Sequence, residues 1–259
     1  MSEPEVTRIC VEALGVVIPL DVRGPDLASA VGQAWQDCRT TSPPDQTAIS
    51  VAVDGPADAD VSGLDIAEVL HRLSPAVTHA AIAARAGELV MLHAAGLADP
   101  DTGATAILVA PSGTGKTTAA RTLGTHFAYL TDETAGIDRD GTMIPYAKPL
   151  SIIRTGHVKD QVAPSELGLR TVERPCHVAG LFIVSRDAQH GAEPAVAPLE
   201  TIDALAAMAP EASFLGQLDH PLHRLADVVH RVGGAHRVTY SEAHTLEPMV
   251  RSLLEKAAR

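Results

Sequence analysis

A short glycine-rich segment carries the clearest chemistry in this chain. Residues 110–117 have the sequence Ala-Pro-Ser-Gly-Thr-Gly-Lys-Thr. They follow an apolar run at 104–109 that is typical of a buried strand, and residues 118–123 can continue as a helix. Glycines between a strand and a helix let successive backbone N–H groups turn towards one phosphate, and the positive end of the helix dipole adds to the attraction. The segment therefore predicts a phosphate-binding loop.

The residue types in this loop predict separate roles. Lys116 can reach the β- and γ-phosphates of a nucleotide, and the Thr117 hydroxyl can bind Mg²⁺. The first glycine of the usual pattern is replaced by Ala110, which requires a negative φ at that residue. A glycine-rich turn that binds no nucleotide is the alternative. The predicted nucleotide-binding residues are Ser112, Gly113, Thr114, Gly115, Lys116, Thr117 and Thr118.

Two adjacent carboxylates follow the next apolar segment. Asp132 and Glu133 end a strand predicted at 127–131, and we expect that strand to lie beside the loop strand with its carboxyl end facing the phosphates. Phosphoryl transfer needs a carboxylate that orients the metal and a base that accepts the proton of the attacking hydroxyl. Asp132 and Glu133 are therefore predicted as catalytic residues and, with Thr117, as metal ligands. The alternative is a helix cap or an exposed turn.

Other charged or titratable residues have more than one interpretation. His93 lies on a strand predicted at 89–97, where it can bond Asp132, face the γ-phosphate, or be a core histidine. Lys148 and Arg154 follow a hairpin predicted at 137–144, and they can stabilise the transferring phosphoryl group or be surface cations. Arg186, after another predicted strand, has the same two interpretations.

Composition restricts the class of protein. The 259 residues carry a formal net charge of −12 and only 3% aromatic residues, which disfavours a nucleic-acid partner. The three cysteines are widely separated, so neither a disulfide framework nor a zinc site is indicated. No signal peptide and no run of roughly 18 apolar residues is found, which predicts a cytoplasmic protein without a membrane partner. A homo-oligomer is left open.

The pattern of strands and helices predicts an α/β protein with two parts. Residues 1–87 are expected to form a small N-terminal α/β lobe of unknown role, including a helix at 62–85. Residues 88–259 are expected to form the catalytic domain. Within that domain, further helices are predicted at 202–209, 222–231 and 246–257, and further strands at 178–184 and 237–240.

Three separated motifs resemble the catalytic domain of HPr kinase/phosphorylase and its relatives. They are the segment 92–96 around His93, the loop 112–117 and the pair Asp132-Glu133, and the resemblance covers roughly residues 88–185. The loop is also similar to that of ATP-dependent phosphoenolpyruvate carboxykinase. The resemblance implies a mixed-sheet P-loop kinase core that uses ATP and Mg²⁺. It aligns Asp132 and His93 with a family aspartate and histidine, while the second family aspartate is Glu133 here, so the identity of the base stays open.

The chain departs from that family downstream. The Glu-x-Arg-Gly type signature that HPr kinase carries is not found, so the phosphocarrier HPr is not carried over as the substrate. The segment 145–151 instead resembles diverged HPr-kinase-related proteins, some of which accompany ribosomal-peptide tailoring clusters and phosphorylate a C-terminal serine of a lasso precursor. This implies a peptide or protein hydroxyl as acceptor. A nucleotide-binding regulatory ATPase or switch, and a small-molecule kinase, are the alternatives.

Overall fold

The computed structural model describes residues 5–55, 59–152 and 159–257. These ranges form six α-helices and fifteen strands in mixed sheets, which confirms the α/β class. The chain divides into two units. The first comprises Met1–Ala84 and Tyr146–Leu167, and the second comprises Arg85–Pro145 and Gly168–Arg259.

The first unit contains a four-stranded sheet and two helices. In the sheet, β1 and β2 pair antiparallel, whereas β3 is parallel to β2 and β4 is parallel to β3. A separate antiparallel pair consists of β10 and β11. The elements are β1 (Val6–Ala13), β2 (Val16–Arg23), α1 (Pro25–Ala34), β3 (Ile49–Val53), β4 (Val61–Gly63), α2 (Ile66–Ala84), β10 (Leu150–Ile152) and β11 (Asp160–Val162).

Two expectations about the first unit are corrected. The helix predicted from residue 62 begins at Ile66, because residues 61–63 pair with 51–53 as a strand. The segment 146–167, expected in the catalytic domain, belongs to the first unit instead. Tyr146 shows why: its ring is buried, and its hydroxyl shares a 2.9 Å hydrogen bond with the Thr78 hydroxyl on α2. This contact between distant parts of the chain has no local sequence signal.

The second unit is built on a nine-stranded sheet with the order β13-β15-β12-β6-β5-β8-β9. β7 and β14 also pair with β5, and β9 pairs with β12 as well as with β8. Its elements are β5 (Val90–Ala98), β6 (Ala104–Val109), α3 (Lys116–Leu123), β7 (Ala128–Thr131), β8 (Thr134–Ile137), β9 (Thr142–Ile144), β12 (Cys176–Arg186), β13 (Ala195–Leu199), α4 (Thr201–Met208), β14 (Ala212–Ser213), α5 (Pro221–Arg231), β15 (Ala235–Tyr240) and α6 (Glu247–Ala257).

The central strands explain the apolar runs in the sequence. Every residue of β6 is buried, as is every residue of β5 except His93. Strands covered on both faces carry continuous apolar sequences rather than alternating ones. The hairpin predicted at 137–144 is also confirmed: β8 and β9 pair antiparallel, and Gly141 takes the positive φ, +84°, that the turn requires.

The strand order brings several chain ends to one edge of the sheet. β6, β12 and β15 run parallel, so their carboxyl ends lie on the same side. β5 is antiparallel to β6 and pairs Ala94 with Val109, so the beginning of β5 lies at that edge too. β7 does not lie beside β6, as the sequence predicted, because β5 pairs with both of them. The loop after β6 therefore opens onto an edge shared with β5, β12 and β15.

No helix in the described ranges has both the length and the apolar content that a membrane span requires.

The cysteines provide a test of the packing. All three are free: Cys38 and Cys176 are buried, and burial raises the pKa of both thiols, whereas Cys10 is half-exposed. Because the thiolate is the reactive form, we expect a thiol-specific disulfide reagent at pH 8 to label Cys10 at least about tenfold faster than the other two. In Cys10→Ser the fast phase should disappear. Rapid labelling of that variant without denaturant would contradict the packing of both buried thiols.

Candidate phosphate-binding site

The loop between β6 and α3 has the backbone that phosphate binding needs. Gly113 and Gly115 have φ values of +82° and +94°, in the left-handed region that glycine tolerates best. Space around Gly113 is open, because a Cβ built there would meet nothing within 4 Å. Ala110 is buried and has a negative φ, so alanine meets the requirement at the first position.

The start of α3 presents amide groups at this loop. Gly115 is the N-cap residue, and the first intrahelical bond runs from the Ala119 N–H to the Gly115 carbonyl. The N–H groups of residues 116–118 therefore have no acceptor inside the helix. The Thr114 hydroxyl donates a 2.8 Å hydrogen bond to the Pro111 carbonyl, which fixes the loop across its base. The arrangement can hold an anion at the positive end of the helix dipole.

Lys116 lies folded against this loop. Its side chain is 7% exposed, and its Nζ donates hydrogen bonds to the carbonyls of Ala110 and Pro111, the latter at 2.8 Å. Burial lowers the pKa of Lys116, while the negative charges of Glu211, Asp132 and Glu133 act in the opposite direction. The three carboxylates therefore favour the charged form of the ammonium group, against the effect of burial.

Asp132 and Glu133 occupy an interruption between two strands. Thr131 of β7 pairs with Gly96 of β5 and Thr134 of β8 pairs with His93, so the acidic pair lies opposite Ala94 and Ala95 with the register unchanged. The Thr131 hydroxyl accepts hydrogen bonds from the N–H groups of Glu133 and Thr134, both at 3.2 Å, and holds the bend between the two strands. The pair therefore neither caps a helix nor lies in an exposed turn.

The two carboxylates have different surroundings. Asp132 is 4% exposed, and its Oδ1 accepts a 2.9 Å hydrogen bond from the buried Tyr129 hydroxyl. Glu133 is half-buried. A carboxylate held by a buried donor has a fixed direction, whereas a half-buried carboxylate can meet an incoming group. Asp132 is therefore the enclosed carboxylate of the pair, and Glu133 is the more accessible one.

His93 contacts the backbone of the acidic pair. Its Nδ1 lies 3.0 Å from the Glu133 carbonyl oxygen, which also accepts a hydrogen bond from the Ala94 N–H. The predicted bond to the Asp132 carboxylate is therefore replaced by one to a main-chain carbonyl. The ring is half-buried at the same sheet edge as the phosphate loop.

Of the two predicted downstream cations, the structure describes only Lys148. Lys148 belongs to the first unit, is 3% exposed, and donates a 3.1 Å hydrogen bond from Nζ to the Pro149 carbonyl. Arg154 lies outside the described residues.

Other residues at the edge have weaker sequence signals. Glu211 precedes the two-residue strand β14, which pairs Ala212 with Leu92, and this register places Glu211 next to the His93 position. Arg186 and Tyr240 are register partners at the carboxyl ends of β12 and β15. The position of Glu211 depends on a pairing between strands that are more than 100 residues apart in the sequence. A two-residue strand has no periodicity, so the sequence could not predict this pairing.

The donor set fits a magnesium ion that arrives with phosphates better than a metal bound by protein alone. Among residues 5–55, 59–152 and 159–257, no group of three or more His, Cys, Asp or Glu side chains is arranged for a metal. The Thr117 hydroxyl and the Asp132 carboxylate are oxygen donors of the kind that Mg²⁺ prefers, and Mg²⁺ usually takes its remaining ligands from water and substrate phosphates.

No protein-family model matches this chain, and no curated protein matches it. Among solved structures, the HPr(Ser) kinase/phosphatase from Coxiella burnetii is similar over 65% of this chain and 95% of that one, with 12% sequence identity and a TM-score of 0.36.

The Tyr129–Asp132 hydrogen bond provides a test of how Asp132 is held. Tyr129→Phe removes a donor from an enclosed carboxylate, so we expect the free energy of unfolding in urea to fall by about 1.5–3 kcal/mol. Tyr146→Phe is the matched control, since it removes a buried bond of the same 2.9 Å length to a neutral hydroxyl and should cost about 1 kcal/mol. A smaller loss in Tyr129→Phe than in the control would contradict this description of Asp132.

Proposed function

We propose that this chain is a Mg²⁺- and ATP-dependent kinase that transfers the γ-phosphoryl group to a serine-type hydroxyl of a peptide or protein. The observation that carries the proposal is that the loop 110–117 and the Asp132-Glu133 pair lie at one edge of one sheet. A loop alone would support binding. Carboxylates beside it add the groups that orient a metal and accept a proton.

The side chains at this edge divide the expected tasks. The amides of residues 113–118 and the Lys116 ammonium would hold the phosphates, and Thr117 and Asp132 would hold the magnesium. Bound magnesium supplies charge neutralisation on the β- and γ-phosphates. Asp132 or Glu133 would accept the proton of the attacking hydroxyl, and the half-buried Glu133 is the more accessible of the two.

Lys116 is positioned in advance for this role. Its ammonium is already at the loop, where neutral carbonyls of Ala110 and Pro111 hold it. Hydrogen bonds from a cation to phosphate oxygens are roughly twice as strong as those to neutral acceptors. A bound nucleotide can therefore attract the ammonium without a large movement of the backbone.

The remaining parts of the proposal rest on the sequence. A core of the HPr-kinase and carboxykinase type, and a peptide acceptor of the kind found in ribosomal-peptide tailoring, follow from the motif resemblance. The charge of −12 supports the absence of a nucleic-acid partner. We propose a cytoplasmic protein without a membrane partner, and the self-association state is open to direct measurement. A regulatory ATPase and a small-molecule kinase would use the same site, and the acceptor of the phosphoryl group distinguishes them.

Lys116→Ala tests the phosphate site. With γ-labelled ATP, Mg²⁺ and a panel of serine-terminated peptides, we expect label on peptide with the wild-type chain and at least about a hundredfold slower transfer with Lys116→Ala. Lys256→Ala removes the same charge from an exposed position at the end of α6 and should leave transfer unchanged. Wild-type rates in Lys116→Ala would refute the site. Free phosphate without labelled acceptor would favour an ATPase, and label on small hydroxyl compounds alone would favour a small-molecule kinase.

The acidic pair is tested by Asp132→Asn and Glu133→Gln, which keep shape and remove charge. Loss of the base should lower the turnover number by about a hundredfold or more and leave the affinity for ATP unchanged. Loss of the metal ligand should instead raise the Mg²⁺ concentration needed for half-maximal rate. We expect each variant to show one of these effects. If both change only the free energy of unfolding, the pair is structural and the catalytic proposal fails.

A further inference from the structure

The carboxyl ends of β12 and β15 bring a second cation to the phosphate loop. β12 pairs in parallel with β6 as far as Ile183 opposite Val109, and it continues from there to Arg186. Arg186 is in turn the register partner of Tyr240 at the end of β15. Both side chains therefore start from the sheet edge where the loop begins.

Arg186 and Tyr240 approach the loop at Gly115. A Cβ built on this glycine would lie 3.8 Å from Cδ of Arg186 and 3.9 Å from the Tyr240 hydroxyl. Gly115 is also the N-cap of α3, next to the N–H groups of residues 116–118 that have no acceptor inside the helix. The Arg186 stem and the Tyr240 hydroxyl thus form one wall of the loop, on the side of β12 and β15.

The present partners of the Arg186 guanidinium are weak ones. Nε donates a 2.9 Å hydrogen bond to the Ser241 carbonyl, and Nη2 lies 3.3 Å from Oε1 of Glu242. The Arg186 and Glu242 side chains are 48% and 61% exposed, and ion pairs at such positions contribute little. A phosphate offers the planar guanidinium shorter and bidentate bonds. Exchange of Glu242 for phosphate is therefore favourable.

Tyr240 differs from Arg186 in burial and in charge. It is 2% exposed, and burial raises the pKa of its hydroxyl although the charge of Arg186 acts in the opposite direction. The hydroxyl therefore stays protonated at neutral pH, and it adds no negative charge beside the loop.

We propose that Arg186 binds the phosphate chain held by the loop 110–117 and releases Glu242 when it does so. Glu242 is then a competitor for the guanidinium, and Arg186 fills the phosphoryl-stabilising role that the sequence left open for Lys148, Arg154 and Arg186. This inference rests on the proposed function of the loop. An arginine can also stack on a nucleotide base, and that alternative separates from phosphate binding when a ligand without a base is used.

The test compares Mg²⁺-tripolyphosphate, which has no base, with Mg²⁺-ATP by titration calorimetry. We expect Arg186→Gln to weaken both ligands by the same factor, about tenfold or more. Glu242→Gln should bind both about two- to fivefold more tightly, since the competitor is removed. Arg237→Gln is the matched control, because it removes an equal exposed charge from the middle of β15 and should leave both affinities unchanged.

Two results would overturn the inference. Weaker binding of ATP alone in Arg186→Gln would show contact with the base, and unchanged affinity for both ligands would show no contact at all. Either result, with wild-type binding intact and lost in Lys116→Ala, would leave the proposed function standing. Absence of tripolyphosphate and ATP binding in the wild-type chain would instead refute both proposals together.

Discussion

The turn from β6 into α3 is the constraint on which the site depends. It requires left-handed backbone at Gly113 and Gly115, which only glycine adopts without strain. That conformation makes Lys116 the first helical residue, directs the amides of 116–118 away from the helix interior, and brings Gly115 against Arg186 and Tyr240. A side chain at either glycine would cost backbone strain even where space is open, as it is at Gly113.

The loop 110–117 contains no carboxylate, and the strand order of the sheet brings carboxylates to it. β5 lies between β6 and the β7–β8 segment, so one strand separates Asp132 and Glu133 from the strand that leads into the loop. The start of β5 adds His93, and β14 adds Glu211 on the other side of β5. Three sequence-distant segments therefore place polar residues at the edge where the loop with Lys116 begins. The carboxylates of Asp132, Glu133 and Glu211 act to raise the pKa of the Lys116 ammonium group. Burial acts to lower that pKa, because it disfavours the charged form.

Local pattern predicted most of the elements and the loop itself. β6, α3 and the 137–144 hairpin follow from apolar runs, glycine positions and turn chemistry, all of which act within about ten residues. The errors concern long-range pairing: β7 beside β5 instead of β6, segment 146–167 in the first unit, and Glu211 near the His93 position. Strand neighbours and domain membership depend on contacts between remote residues, for which one sequence holds no periodic signal. The hydrogen-bond partner of His93 is a main-chain carbonyl rather than a carboxylate, and it too depends on contacts between remote residues.

The central claim is that the amides of this loop receive the phosphates of a nucleotide. Backbone ¹⁵N–¹H spectra of the deuterated chain, titrated with Mg²⁺-ATP and separately with adenosine, test it most directly. The account predicts that ATP causes its largest shift changes at the N–H groups of residues 113–118, and that adenosine leaves these groups unchanged. Changes confined to other parts of the chain, or equal changes with adenosine, would contradict it.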